Sequence, residues 1–212
     1  MIPPRGSLVR PDGDDPLDFY YRPGASLVYR SRLEHARRLL AHGQPYEALL
    51  DVGYGSGIFL PELARLARRV AGVDVHDRAA EVTGALARLG VAAELRQASV
   101  YELPYSEAEF DAAVCISVFE HLVDLDAPLR ELGRVLAPGA VLVLGFPVRN
   151  PATDLFFRLV GYNPRTIHPS GHRDILAAIE RAPHFRLERS LNLPPFLPLP
   201  LAAYLTCRLR RT

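Results

Sequence analysis

The chain lacks lysine, has two cysteines and carries almost no net charge. All 25 of its basic residues are arginines, and 24 acidic residues leave a formal net charge of +1. Such a balance gives no long-range field to attract nucleic acid or an anionic membrane; we attribute the use of arginine alone to coding bias. Cys115 and Cys207 have no metal-ligand spacing, and so few cysteines indicate a reducing compartment without a disulfide framework.

Long hydrophobic runs are also absent. Residues 1–15 hold no apolar stretch of signal-peptide length, and no segment approaches the roughly 20 apolar residues of a membrane span. Residues 191–209 are apolar, but their prolines exclude one continuous helix. We therefore expect a cytoplasmic protein with no stable membrane insertion and no nucleic-acid partner, and its oligomeric state stays open.

Strand-like and helix-like patterns alternate along the chain. The predicted strands cover residues 47–52, 70–75, 91–99, 110–119 and 140–146, and the predicted helices cover 26–42, 57–69, 78–90 and 127–139. This alternation predicts an α/β fold with a doubly wound, mostly parallel sheet that binds its ligand at the carboxyl ends of the strands. Two helices are expected within 148–183, and an antiparallel pair of strands at 185–193 and 201–209.

We predict one domain over residues 1–212, which is an ordinary length for a single hydrophobic core. Within it, residues 1–45 form an amino-terminal arm and cap helix. Residues 46–147 form a cofactor-binding core, and residues 148–212 form a substrate lid and the last strands.

The most informative stretch is a glycine-rich turn after the first strand. An apolar run ends at Asp51, and Gly53, Gly55 and Gly57 follow at every second position. Glycines there let a ligand approach the backbone closely. A dinucleotide fingerprint needs its last glycine at position 58, where this chain has Ile58.

This turn resembles motif I of the class I S-adenosylmethionine (SAM)-dependent methyltransferases, and the chain is similar to their small-molecule, type 11-like members. Three further signatures follow in the expected order: Asp74 at the tip of the second strand, the Leu103–Pro104 pair, and Phe110–Asp111 opening the fourth strand. The resemblance covers residues 46–147. It implies SAM as cofactor and a seven-stranded sheet in the order 3-2-1-4-5-7-6.

The resemblance also implies where the cofactor binds. Asp74 would hold the ribose hydroxyls, and Ser99 stands where the family usually has an aspartate that contacts adenine. The cofactor-binding candidates are Asp51, Gly53, Tyr54, Gly55, Gly57, Asp74, Val75, Ser99, Val100 and Ser117. For the cofactor's carboxylate, the donor candidates are Tyr20, Tyr21, Tyr29 and Arg30. For Asp111 we expect backbone hydrogen bonding rather than ligand contact.

Three histidines are candidate catalytic residues, because a hydroxyl acceptor must lose a proton during methyl transfer. His121 follows the fourth strand, whereas His168 and His172 lie in the segment expected to form the lid. Ubiquinone-biosynthesis O-methyltransferases carry Glu-x-x-Glu-His here and can bind a divalent metal. This chain has Ser117 in place of the first glutamate, so we predict no metal.

The acceptor is predicted to be a small, hydrophobic molecule methylated at oxygen. The expected lid and tail supply apolar walls, which suit such a ligand, through Phe156, Phe157, Tyr162, Ile167, Phe196 and Leu197. Two alternatives remain: a SAM-binding protein without catalytic activity, and an NAD-dependent oxidoreductase.

Overall fold

Seven strands form one mixed β-sheet. The computed structural model describes residues 2–11, 15–43, 45–151, 153 and 168–212. Its strands are β1 (Tyr46–Val52), β2 (Ala67–Asp74), β3 (Glu94–Gln97), β4 (Phe110–Ile116), β5 (Leu136–Pro147), β6 (Phe185–Leu193) and β7 (Tyr204–Arg211). Their order is β3-β2-β1-β4-β5-β7-β6, and only the pairings of β7 are antiparallel. The predicted sheet order and the antiparallel closing pair are confirmed.

Five α-helices flank this sheet in the described part of the chain. They are α1 (Ala25–Leu40), α2 (Leu60–Leu63), α3 (Ala79–Arg88), α4 (Asp126–Val135) and α5 (His172–Arg181). Leu50 of β1 packs in the cluster that contains residues of α4 and α5, whereas Leu49 packs in the cluster with α1 and α3. Successive residues of a strand point to opposite faces, so β1 is covered on both sides, as its continuous apolar sequence predicts.

Two predicted helices extend into residues that the structure places in strands. The helix predicted over 57–69 is a single turn, and Ala67 already pairs with Tyr46 of β1. Strand β5 likewise begins at Leu136, which pairs with Phe110, inside the helix predicted over 127–139. In both places hydrogen bonding to a neighbouring strand overrides a helical apolar pattern, because propensity is the weaker effect.

The segment before α5 is described only in part. Of the two helices predicted within 148–183, the second is α5. The four lid side chains Phe156, Phe157, Tyr162 and Ile167 lie outside the described residues. Among the residues that are described, no helix combines the length and the apolar character that a membrane span requires.

Candidate functional site

A cavity of about 420 Å³ opens where β1, β2 and β4 end. Parallel strands present their carboxyl ends at one edge of the sheet, and ligands of doubly wound folds bind there. Of the ten predicted cofactor residues, nine line this cavity: Asp51, Gly53, Tyr54, Gly55, Asp74, Val75, Ser99, Val100 and Ser117.

Gly57 is the predicted residue that does not line the cavity. A Cβ atom at Gly57 would lie 3.0 Å from Val82 and 3.3 Å from Leu60, and its φ is +75°. The glycine therefore allows the turn to pack against α2 and α3, which gives the loop its shape.

Asp74 and Asp51 put two carboxyl groups at the strand tips. Asp74 accepts a hydrogen bond from the backbone N–H of Gly55 at 2.8 Å, which fastens the glycine loop to β2. Burial, together with the charge of Asp74, raises the pKa of Asp51 to about 8. Asp51 is therefore largely protonated at neutral pH, and Asp74, the last residue of β2, also lines the cavity.

His76 and Tyr54 also line the cavity, beside Asp74 and the glycine loop. His76 Nδ1 accepts the backbone N–H of Arg78 at 3.1 Å, so Nε2 carries the proton and donates to the carbonyl of Gly55 at 3.1 Å. The ring of Tyr54 meets the His76 ring edge-on at 4.9 Å. The buried hydroxyl of Tyr54 has no hydrogen-bond partner among the described residues.

Ser99 lines the cavity but also stabilises its own turn. Its Oγ atom accepts the N–H of Tyr101 at 3.3 Å, and a β-bridge pairs Ser99 with Glu102. The serine is half-buried beside the buried Val100, which leaves its hydroxyl near the cavity.

Arg32 of α1 is the functional candidate that sequence reasoning missed. Its side chain lines the cavity, and Nη1 donates to Ser117 Oγ at 3.1 Å. Its guanidinium lies 3.9 Å from the centre of the Tyr29 ring. The residue is only 9% exposed, and its Nε has no hydrogen-bond partner among the described residues.

No carboxylate within the described part of the chain forms an ion pair with this guanidinium. Burial of an unpaired cation is costly, so an arginine kept in this state at a cavity points to an anionic ligand. A signal was present in the sequence, since Arg32 interrupts the buried stripe of α1 that includes Leu33, Ala36 and Leu39.

The four donor candidates proposed from the sequence occupy different positions, and only Tyr20 among them lines the cavity. Tyr29 lies beneath Arg32. Arg30 donates to the carbonyl of Tyr20 at 3.0 Å, and the hydroxyl of Tyr21 donates to the carbonyl of Pro3 at 2.9 Å. These side chains mainly hold the amino-terminal segment against α1.

Ser117 links Arg32 to the last strand, β7, through hydrogen bonds. Its φ is +60°, a conformation that is strained for a residue with a side chain. Its Oγ atom contacts the hydroxyl of Tyr204 at 2.8 Å in addition to Arg32, and its N–H donates to Gly145. Strained backbone of this kind is typical of sites where the surroundings fix the geometry.

Two of the three candidate histidines lie together, and the third lies apart. His121 is exposed and lines the cavity, and its ring centre lies 5.0 Å from that of His168. Burial and the neighbouring His121 lower the pKa of His168 to about 4. His172 is buried away from the cavity lining, where Nδ1 accepts the N–H of Arg149 at 3.1 Å.

Glu120 completes a cluster with His121 and His168. One ligand atom from each of the three residues lies within 4.8 Å of the others, so the cluster could hold a metal ion. Burial raises the pKa of Glu120 to about 7, and its Oε2 has no hydrogen-bond partner among the described residues. Two imidazoles and one carboxylate suit a transition metal better than magnesium. The sequence could not reveal His168 as a third donor, and the absence of a metal stays a prediction.

Two other sequence expectations are resolved by side-chain contacts. Asp111 accepts the backbone N–H groups of Glu47 at 2.8 Å and Ala48 at 3.0 Å, which confirms its structural role. Phe196 is 81% exposed and, like Leu197, is not among the residues that line the cavity.

The sequence is similar to known methyltransferases. Residues 50–144 match the family described as "Methyltransferase domain". The ubiquinone biosynthesis O-methyltransferase of Hahella chejuensis is 36% identical over 118 residues, which are 53% of this chain and 48% of the relative. The enzyme of the same name from Alkalilimnicola ehrlichii is 31% identical over 145 residues, 68% of this chain and 58% of the relative. The chain therefore spans about half the length of the curated relatives it matches.

Solved structures share the fold. Geranyl diphosphate C-methyltransferase from Streptomyces coelicolor superposes with a TM-score of 0.71 at 16% identity, covering 95% of this chain and 86% of that one. The N-methyltransferase NodS from Bradyrhizobium japonicum, in complex with S-adenosyl-L-homocysteine (SAH), gives 0.68 at 21% identity, with 95% and 94% covered. Residues 50–144 therefore match the methyltransferase domain family, and the chain shares its fold with solved SAM-dependent methyltransferases.

Proposed function

We propose that the protein transfers a methyl group from SAM to an oxygen atom of a small, hydrophobic acceptor. The observation that carries this proposal is the cavity itself: a glycine loop, the Asp74 carboxyl group and the buried Arg32 guanidinium face one space. SAM offers ribose hydroxyls and a carboxylate, and these groups complement an acid and an arginine respectively. The names of the curated relatives, which are O-methyltransferases, support oxygen as the atom methylated.

Each cavity group has a role in this proposal. Asp74 binds the ribose hydroxyls, and Arg32 binds the carboxylate of the cofactor. Gly53 and Gly55 allow close approach to the backbone. The remaining contacts come from Asp51, Tyr54, Val75, Ser99, Val100 and Ser117. Gly57 contributes through the shape of the loop.

The chemistry needs little covalent help from the protein. Bound SAM supplies an electrophilic methyl group on a sulfonium sulfur. The cavity residues hold and orient the ligands and exclude water, which is how proteins mainly accelerate an in-line displacement. His121 accepts the proton of the acceptor hydroxyl, because it is the one of the three candidate histidines that lines the cavity. His168 supports the ring of His121, and His172 has a structural role.

The domain organisation, the cellular location and the class of partner are proposals as well. We propose that residues 1–212 act as one domain divided at residues 45 and 147, which the continuous sheet from β1 to β7 supports. A cytoplasmic location is supported by the free thiols of Cys115 and Cys207. The near-zero net charge favours a small-molecule partner over nucleic acid.

Calorimetry with SAM and SAH tests this proposal through Arg32. We expect micromolar binding by the wild type and about tenfold or weaker binding by Arg32→Ala, because a charge-assisted contact to the cofactor's carboxylate is lost. Arg38→Ala is the matched control, since Arg38 lies on the same helix but is 63% exposed and pairs with Glu34. Equal affinities of the Arg32 and Arg38 variants would remove Arg32 from the cofactor site.

A further inference from the structure

Asp15 reaches the cavity from outside the sheet. It precedes α1, yet it lines the cavity beside the glycine loop and is only 9% exposed. Oδ2 accepts the backbone N–H of Ser56 at 2.8 Å, and Oδ1 accepts the N–H of Leu17 at 2.8 Å. A carboxylate that accepts backbone N–H groups makes stronger hydrogen bonds than a neutral acceptor does.

Residues 15–20, which we call the strap, connect Asp15 to α1. Their far end is fixed to that helix: Arg30 donates to the carbonyl of Tyr20 at 3.0 Å, and the Phe19 ring stacks on Tyr29 at 5.2 Å. Pro16 and Tyr20 also line the cavity. The strap therefore forms one wall of the cavity, and Asp15 fastens its near end to the glycine loop.

Gly55 has no side chain that would block the approach of Asp15. A Cβ atom at Gly55 would lie 2.6 Å from Asp15 Oδ2, closer than real Cβ atoms come to their neighbours. The glycine loop thus leaves room for the carboxylate of the strap as well as for a ligand. The same Oδ2 atom accepts the hydrogen bond from Ser56.

We propose that Asp15 is a cofactor-retention residue: its bond to Ser56 holds the strap against the glycine loop, and the cofactor exchanges when that bond opens. The inference rests on the proposed function for the identity of the ligand. Asp15 acts here through the position of the strap, so it is a positioning residue. Its loss should change the rate of cofactor exchange more than it changes the fold.

The dissociation rate of radiolabelled SAH tests this role directly. We expect Asp15→Ala to release SAH about tenfold faster than the wild type, since one charge-assisted hydrogen bond no longer holds the strap. Asp15→Asn keeps an acceptor oxygen and should give an intermediate rate. Asp18→Ala is the matched control, because Asp18 lies on the same strap, is half-exposed and pairs with Arg10 at 3.7 Å. Equal rates in Asp15→Ala and the wild type overturn the proposal.

Amide hydrogen exchange of Ser56, measured without cofactor, gives a second readout. In Asp15→Ala this N–H loses its acceptor, so its exchange should rise at least about tenfold while the exchange of Val114 in β4 stays unchanged. A parallel rise at both residues would mean general destabilisation, and no rise at Ser56 would mean that the contact does not form in solution; either result contradicts the proposal. If the wild type binds no SAH, the proposed function itself fails. Normal binding with unchanged dissociation overturns the strap alone.

Discussion

The two halves of the site are assembled in different ways. Where the cofactor's sugar is proposed to bind, the decisive contact joins residues that are close in sequence: Gly55 and Asp74 are 19 positions apart. Where the cofactor's carboxylate and the acceptor are proposed to bind, Ser117 bonds Arg32 across 85 positions and Tyr204 across 87. The first side is one strand–loop–strand unit with a local motif, whereas the second needs the whole sheet to be folded. Only the first can be read directly as a spacing pattern.

That contrast explains what the sequence could predict. The glycine spacing and the acid at the tip of β2 predict a ligand site there, because parallel strands bring their ends together. The sheet order and the ten residues expected around the cofactor, of which nine line the cavity, were implied by the family resemblance that these motifs carry. Gly57 fits the motif equally well, yet it packs against α3 since the loop turns away from the cavity there. Pattern alone does not distinguish a glycine that touches ligand from one that allows packing.

The residues missed are those placed by long-range contacts. The only sequence signal for Arg32 is its position in the apolar stripe of α1, and its contacts with Ser117 and the Tyr204 ring form only in the folded chain. His168 was a candidate from the sequence, but its position beside His121 is seen only in the folded chain. The start of β2 at Ala67 was missed for a related reason, because pairing with Tyr46 extends the strand back over a helical pattern.

The largest expected effect falls on the acceptor side. His121→Ala should lower kcat with a hydroxyl acceptor by about a hundredfold or more, which is the usual contribution of a general base. SAM affinity should stay within about twofold, because His121 is proposed to act on the acceptor and not to bind the cofactor. His42→Ala, an exposed histidine near Arg189, serves as control. If His121→Ala kept the turnover of the wild type, His121 would not be the general base.

A smaller effect, on the pH dependence of stability, is expected at Asp51 beside the proposed cofactor site. The folded protein keeps a proton on Asp51 up to about pH 8, whereas the unfolded chain releases it near pH 4. Between these values the folded state binds more protons, so this group makes the free energy of unfolding fall as pH rises. An amide at this position has no such proton to lose, so the Asp51→Asn variant should gain on the wild type by about 2 kcal/mol or more from pH 4 to pH 8.

Denaturant unfolding across that pH range measures the difference. The exposed Asp77→Asn variant should follow the wild type at every pH. Parallel curves for Asp51→Asn and the wild type would show that Asp51 ionises normally in the folded protein. The proposed cofactor site would then carry a second negative charge at neutral pH.

The central claim is that a SAM-type nucleoside binds over the ends of β1 and β2 with its sugar held by Asp74, and SAH calorimetry tests it most directly. We expect micromolar binding by the wild type, about fiftyfold weaker binding by Asp74→Ala because charge-assisted hydrogen bonds are lost, and unchanged binding by Asp77→Ala. A wild type that does not bind SAH, or an Asp74→Ala variant that binds it as tightly as the wild type, would contradict the account.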